Sequence, residues 1–252
     1  MNDLAFTDRG NGPPVLLVHG TGTDSSVFDD VSGSLTDRWR LITPDRRGWG
    51  RSIPDSEYRR TSIAEQAIEL APLLKQAGAS PATVIGLGFG AVVALELALA
   101  DPELVARAFL IEPPVLGAIS AANEGMSADV EAIRAAAEEG GEEAAYRLFL
   151  SGALHTLGAG AERWSEHADR GPAAARSFLV EVPAVPAWPL DPVRLAALES
   201  EVIVVTQPST PALLGRAAET VVDRVPGAGA MHTSRDGTAA ISAMLDGPLP
   251  WE

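Results

Sequence analysis

The sequence predicts an α/β fold, a mostly parallel central sheet with a helical lid inserted in it. Three observations predict this. Short, continuous apolar runs recur between helix-like stretches, the pattern of buried parallel strands. Residues 84–91 read Val-Ile-Gly-Leu-Gly-Phe-Gly-Ala, a strand passing through a glycine turn into a helix. From about 115 to 190 the strand pattern disappears and alanine and glutamate dominate.

The elements follow in order. Pro14–Val18 is an apolar run ending in His19-Gly20, and Arg40–Pro44 is another ending in Asp45-Arg46-Arg47-Gly48; both read as buried strands. Ser62-Ile63-Ala64-Glu65 has the capping-box pattern and opens a helix to about Ala77, with Gly78 as its stop. Pro72 inside it predicts a kink or an early break. Residues 91–100 form a strongly apolar helix closed by Asp101-Pro102, and 106–111 a strand followed by Glu112-Pro113-Pro114. Helix formers then cluster at 128–139 and 142–153. Residues 202–206 resume the strand pattern, 213–225 form an amphipathic helix, 227–232 a weak strand and loop, and a last helix lies near 238–245. The expected organisation is a core of residues 1–114 and 191–252 with a helical cap over 115–190.

At 252 residues, with 46% hydrophobic and 21% charged residues, the chain has the balance of a globular protein with a substantial core. No apolar stretch is long enough to span a bilayer, and residues 1–6 lack the basic and apolar regions of a signal peptide, so a cytoplasmic location without membrane partners is expected. Nineteen Lys and Arg against 34 Asp and Glu give a net charge of −15, a field that repels phosphate backbones and excludes nucleic acid as a natural partner. The absence of cysteine excludes thiolate nucleophiles, disulfides and thiolate metal sites. Lys75, the single lysine, is remote in sequence from every motif, which argues against Schiff-base chemistry. No metal site or cofactor is expected, and a homodimer stays open.

The glycines at 86–91 admit two readings. Gly86, Gly88 and Ala91 satisfy G-x-G-x-x-G/A, and Glu112 lies about where a dinucleotide fold places its ribose-binding acid. That fingerprint, however, opens its fold, and here two strand-like runs precede it. The second reading takes Gly86-Leu87-Gly88-Phe89-Gly90 as a strand-to-helix elbow. In this form, and in the order of strands, helices and insertion from about residue 4 to 247, the chain resembles the alpha/beta-hydrolase family, whose elbow is G-x-S-x-G. Asp45-Arg46-Arg47-Gly48-Trp49-Gly50-Arg51-Ser52 resembles the family's D-x-R-G-x-G-x-S segment, read as a structural loop whose Trp49 edges the pocket. The short N-terminal part implies that a first edge strand common in the family is missing.

The resemblance implies site residues. Gly88 stands where the family has its nucleophilic serine. His19-Gly20-Thr21-Gly22 matches the loop that supplies one oxyanion-hole N–H, here that of Thr21; the second would be that of Phe89, at a helix start that also favours negative charge. Both donors are backbone groups, so the hole does not depend on the missing serine. His232 falls at the position of the catalytic histidine, the best candidate for an acid or base. The usual acid is absent, because 207–211 reads Gln-Pro-Ser-Thr-Pro; Glu112 either replaces it or merely begins a Glu-Pro-Pro turn. Asp24 and Ser209 are candidate polar contacts to a ligand, as are His19 and Gly20. Phe149, Trp164, Phe178 and Trp188 either pack the lid onto the sheet or face the pocket, where they would suit an apolar, aromatic or polyketide-like small molecule. His155 and His167, within the lid, have no motif support.

An acyl-enzyme route needs an attacking hydroxyl, and Gly88 provides none. An oxyanion hole facing a histidine suits enolate chemistry: addition, elimination, cyclisation, isomerisation, or carbon–carbon bond formation and cleavage, without a cofactor. The expected function is therefore that of a non-hydrolytic enzyme of secondary metabolism. Hydrolysis by histidine-activated water and ligand binding without turnover are the alternatives.

Overall fold

The computed structural model describes residues 4–53, 58–119, 122–168 and 171–247. The apolar runs pair into one seven-stranded sheet: β1 (Phe6–Arg9), β2 (Pro14–Val18), β3 (Arg40–Pro44), β4 (Ala82–Leu87), β5 (Val105–Ile111), β6 (Glu201–Thr206) and β7 (Gly229–His232). Their spatial order is β1-β3-β2-β4-β5-β6-β7. Only β1 runs antiparallel to its neighbour, with Phe6 opposite Pro44; the other five pairings are parallel.

Parallel strands at the centre of a sheet bury both faces, which is why they read as unbroken apolar runs. Successive side chains alternate between the faces. Val15, Leu17, Ile85, Phe109, Ile203 and Val205 pack on one side with helices α1 (Asp29–Leu35) and α9 (Ile241–Asp246). Leu16, Val18, Val84, Leu110, Val202 and Val204 pack on the other with α2 (Ile63–Gln76), α3 (Phe89–Ala100) and α8 (Ala212–Arg224).

Helix α2 begins as the capping box requires: Ser62 Oγ accepts from the Glu65 N–H at 3.1 Å. It continues through Pro72, contrary to an early break. Proline removes the bond to the carbonyl four residues earlier, and Ile68, which loses it, is 58% exposed, so water can take the donor's place. Gly78, at φ 57°, follows its end as a left-handed stop.

Among the described residues no strand lies between β5 and β6. That stretch holds α4 (Asn123–Leu150), α5 (Pro172–Glu181), α6 (Ala184–Ala187) and α7 (Pro192–Ala196). Gly141, at φ 75° and ψ −177°, breaks α4 into two segments, and the second ends near 150 rather than 153. Trp49, Tyr146, Phe178 and Phe149 pack in that order in a core of their own, with successive ring centroids 6.2, 5.7 and 4.6 Å apart. Trp49 comes from the loop after β3, so one core tryptophan anchors this helical layer. No helix among the described residues is long and apolar enough to cross a membrane.

The three elbow glycines answer to different constraints. A Cβ on Gly90 would stand 2.3 Å from the Val18 carbonyl oxygen and 2.5 Å from that of His19, and one on Gly86 would stand 2.3 Å from the Gly90 oxygen. Both let α3 pack directly on the sheet. Gly88 has φ 54° and ψ −118°, but a Cβ there would meet nothing within 4 Å. Gly90→Ala should therefore cost ~3 kcal/mol or more by overpacking against backbone, whereas Gly88→Ala should cost only ~1–2 kcal/mol of backbone strain. Urea unfolding of the two variants checks the contrast; equal losses would refute it.

Candidate active site

Where β2, β4 and β5 end, the sheet and the cap enclose a cavity of about 110 Å³. Gly88 is at its base, with Gly20 and Thr21 on one side and Glu112 on the other; Phe89, Phe149, Trp164 and Phe178 give it an apolar wall. Its size is that of a single small ring, since an engineered cavity of ~150 Å³ holds benzene.

Thr21 and Phe89, expected to carry the two oxyanion donors, both line this space. The Phe89 N–H begins α3, where the first turn has no intrahelical acceptor. The Thr21 N–H likewise has no backbone or side-chain acceptor among the described residues. Thr21 shares its peptide group with the Gly20 carbonyl, which accepts from His19 Nδ1 at 2.9 Å, Arg46 Nη2 at 2.9 Å and Thr23 Oγ1 at 3.2 Å. The Arg46 guanidinium also lies 4.6 Å from the Phe89 ring centroid.

His19 is a correction to the ligand contacts expected. It is fully buried, and its Nε2 accepts the Arg46 N–H at 2.9 Å, so Nδ1 carries the proton given to Gly20. Both ring nitrogens are spent internally. Burial, and then the Arg46 charge, hold its pKa well below the usual histidine range, against the opposing Gly20 bond and Asp45 charge.

Glu112 follows β5 directly, in the left-handed region at φ 49°, and is 2% exposed. Its carboxylate lines the cavity, where it accepts from Thr210 Oγ1 at 2.6 Å and forms an ion pair with Arg163 of the cap. Arg163 also lines the cavity and donates to Ser209 Oγ at 2.6 Å. Ser209 is thus a support for Arg163 and does not line the cavity.

The structure does not bring His232 to this group. It is the last residue of β7, opposite Thr206, and its Nδ1 lies 3.1 Å from Thr206 Oγ1. Strand alternation decides its direction: Met231 packs on the core while His232 is exposed, outside the cavity lining. The sequence expectation placed it on a loop, where no such alternation applies. Three further expected contacts also lie elsewhere. Trp188 donates to Glu96 Oε2 at 2.9 Å beneath the cap, and Asp24 accepts from the Ser26 N–H at 2.8 Å as a cap of the turn over Ser25–Phe28. Trp49 is wholly buried, with Nε1 bonded to Glu181 Oε1 at 2.9 Å.

Glu181, of α5, was not singled out by the sequence. It lines the cavity, is 1% exposed, and accepts from Trp49, from Gln66 Nε2 at 2.9 Å, from Thr21 Oγ1 at 2.7 Å and from Arg46, with which it forms a buried ion pair. Arg163 and Arg46 were missed for the same reason. Nothing local marks an arginine that reaches its partner across more than fifty positions.

The neutral His19 predicts a pH dependence of stability. Unfolded histidine takes up its proton near pH 6.5, while the folded side chain resists until a lower pH. In between the unfolded state binds more protons, so stability is full above about 6.5 and is lost as the pH falls below it, by at most ~1.4 kcal/mol per pH unit. The melting temperature should drop between pH 7 and 5, and the drop should be shallower in His19→Gln. A wild-type slope retained by that variant would count against it.

Comparison with known proteins agrees with this architecture. Residues 15–241 match the family model described as the alpha/beta hydrolase family. An uncharacterized protein of Mycobacterium tuberculosis is 35% identical over 108 residues, 42% of this chain and 31% of that protein. The uncharacterized hydrolase YraK of Bacillus subtilis is 33% identical over 114 residues, 45% of this chain and 42% of its own. The match thus spans less than half the length of these curated relatives. The solved structure of Rv0554 from Mycobacterium tuberculosis superposes with a TM-score of 0.71 at 21% identity, over 96% of this chain and 92% of that one. With a parallel sheet, a glycine elbow between β4 and α3 and a family match over most of its length, the chain belongs to the alpha/beta hydrolase family.

Proposed function

We propose that this chain is a non-hydrolytic, cofactor-independent enzyme acting on a small apolar molecule that carries a carbonyl oxygen. The observation that carries the reading is the empty space above Gly88 in the elbow that starts α3. Gly88 stands where the family's serine would stand, and among the described residues that line the cavity no hydroxyl is free to replace it. The three threonines that line the cavity have their hydroxyl protons engaged: Thr21 with Glu181, Thr23 with the Gly20 oxygen and Thr156 with Asp129. An acyl-enzyme has nothing to form on.

What remains is charge stabilisation and proton transfer. A carbonyl oxygen held by the Thr21 and Phe89 N–H groups becomes a stabilised enolate when a base removes the neighbouring proton. Glu112 is the carboxylate at the cavity wall and takes this role in place of His232, with the Arg163 guanidinium balancing charge beside it. Addition, elimination, isomerisation or cyclisation can follow from such an enolate. The cavity volume favours a single-ring molecule, or one ring of a larger, polyketide-like substrate.

Ligand binding without turnover is the second reading. It is favoured by the solvent-facing His232 and by the partners that already occupy Glu112.

Phenylacetone in heavy water tests both. The wild type should exchange the ketone's α-hydrogens for deuterium, Glu112→Gln should slow this by about 10²–10⁴, and His232→Ala should leave it unchanged. Gly88→Ser should reduce exchange by filling the space over the elbow. If no ketone of this size exchanges and Gly88→Ser leaves its binding unaltered, the binding reading replaces the enzymatic one. Release of an acid carrying solvent oxygen from an ester would instead restore hydrolysis, with Glu112 activating water.

A further inference from the structure

We infer that Arg46 and Glu181 are positioning residues that hold the oxyanion hole open and make its assembly depend on the cap. The inference rests on the reading of Thr21 and Phe89 as donors to a substrate oxygen. A peptide group points its N–H opposite to its C=O. Whatever fixes the Gly20 carbonyl therefore fixes the direction of the Thr21 N–H. Arg46 Nη2 holds that carbonyl at 2.9 Å, and Arg46 Nε holds the preceding His19 carbonyl at 2.8 Å. Its guanidinium lies against the ring of Phe89, the residue that carries the second donor.

Arg46 is itself held from the cap. Glu181, on α5, pairs with it and also accepts from the Thr21 hydroxyl at 2.7 Å. One carboxylate thus grips the oxyanion loop twice, through the arginine behind the peptide and through the side chain of the donor residue. The other acceptor positions of Glu181 are filled by Trp49 and Gln66. Four protein donors converge on this carboxylate, which assigns it to holding the loop. Its contribution to chemistry is preorganisation of a donor aimed at developing charge.

When the cap lifts, Arg46 loses its counter-ion and Thr21 its hydroxyl acceptor together. The Gly20–Thr21 peptide then keeps His19, Thr23 and an Arg46 steadied only by core partners, Gln66 and the His19 carbonyl, and the hole is freer to lose its first donor. Closure of the cap over a ligand and formation of the hole become one event.

Amide resonances of ¹⁵N-labelled protein test this, with phenylacetate as the probe. In the wild type the Thr21 and Phe89 amides should both shift on titration. In Arg46→Lys and Glu181→Gln the Thr21 resonance should already be displaced without ligand, its response to phenylacetate should vanish while that of Phe89 persists, and affinity should fall about tenfold. Thr21→Val, which removes only the hydroxyl link, should give an intermediate result and serves if the buried-pair variants do not fold. Unliganded variants with a wild-type Thr21 resonance would overturn the inference, as would parallel loss of both responses in a folded protein. If the variants displace Thr21 but phenylacetate moves neither amide in the wild type, positioning of the loop stands and the oxyanion-site reading fails.

Discussion

Burying a guanidinium against a carboxylate costs several kcal/mol of lost hydration per ion, and the attraction offsets this only when the remaining donors and acceptors are also satisfied. The Arg46–Glu181 pair meets that condition. Arg46 serves two backbone carbonyls, Gln66 and Glu181, while Glu181 accepts from four different residues. Apolar residues of similar volume could join cap and core with comparable stability. They could not dictate the orientation of the Gly20–Thr21 peptide, and that is where the pair bears on chemistry.

Glycine geometry and the charged network define the cavity between them. Close approach at Gly86 and Gly90 brings the start of α3 against the end of β2, so Phe89 and Thr21 line one space. Glu112 enters from the far side because the chain turns through a left-handed conformation at the end of β5. Beside the apolar wall and three threonines, two ion pairs border the space, Arg46–Glu181 and Arg163–Glu112, each joining core to cap. Charge therefore joins the two layers at the cavity beside the aromatic packing of Trp49 in the cap.

Much of this was legible in the sequence. Continuous apolar runs, the glycine turn and the Ser62 capping box each depend on neighbours in the chain, so strands, elbow and α2 follow directly from composition and spacing. The placement of Thr21, Gly88, Phe89 and Glu112 at one end of the sheet follows from the same topology. His232 shows where such inference stops. Its position along the chain suits a catalytic residue, but one step of strand alternation, fixed by pairing with Thr206, turns it outward. Glu181 and Arg163 were invisible because their roles come from the packing of the cap on the core, and no local pattern encodes a contact made at that distance.

Helix α3 is apolar around its whole circumference: every residue from Phe89 to Ala98 except Glu96 is uncharged, and all are buried. Apolar burial gives such a helix little preference for an angle about its axis beyond the close fit of Gly90 on β2. Glu96 removes that freedom. Its carboxylate accepts from Arg194 at 2.8 and 2.9 Å and from Trp188 Nε1 at 2.9 Å, and a rotated helix would leave it buried and unpaired. A single charge two turns downstream thus acts as a key in a slot, setting the azimuth of the helix and with it the direction in which the Phe89 N–H leaves the first turn.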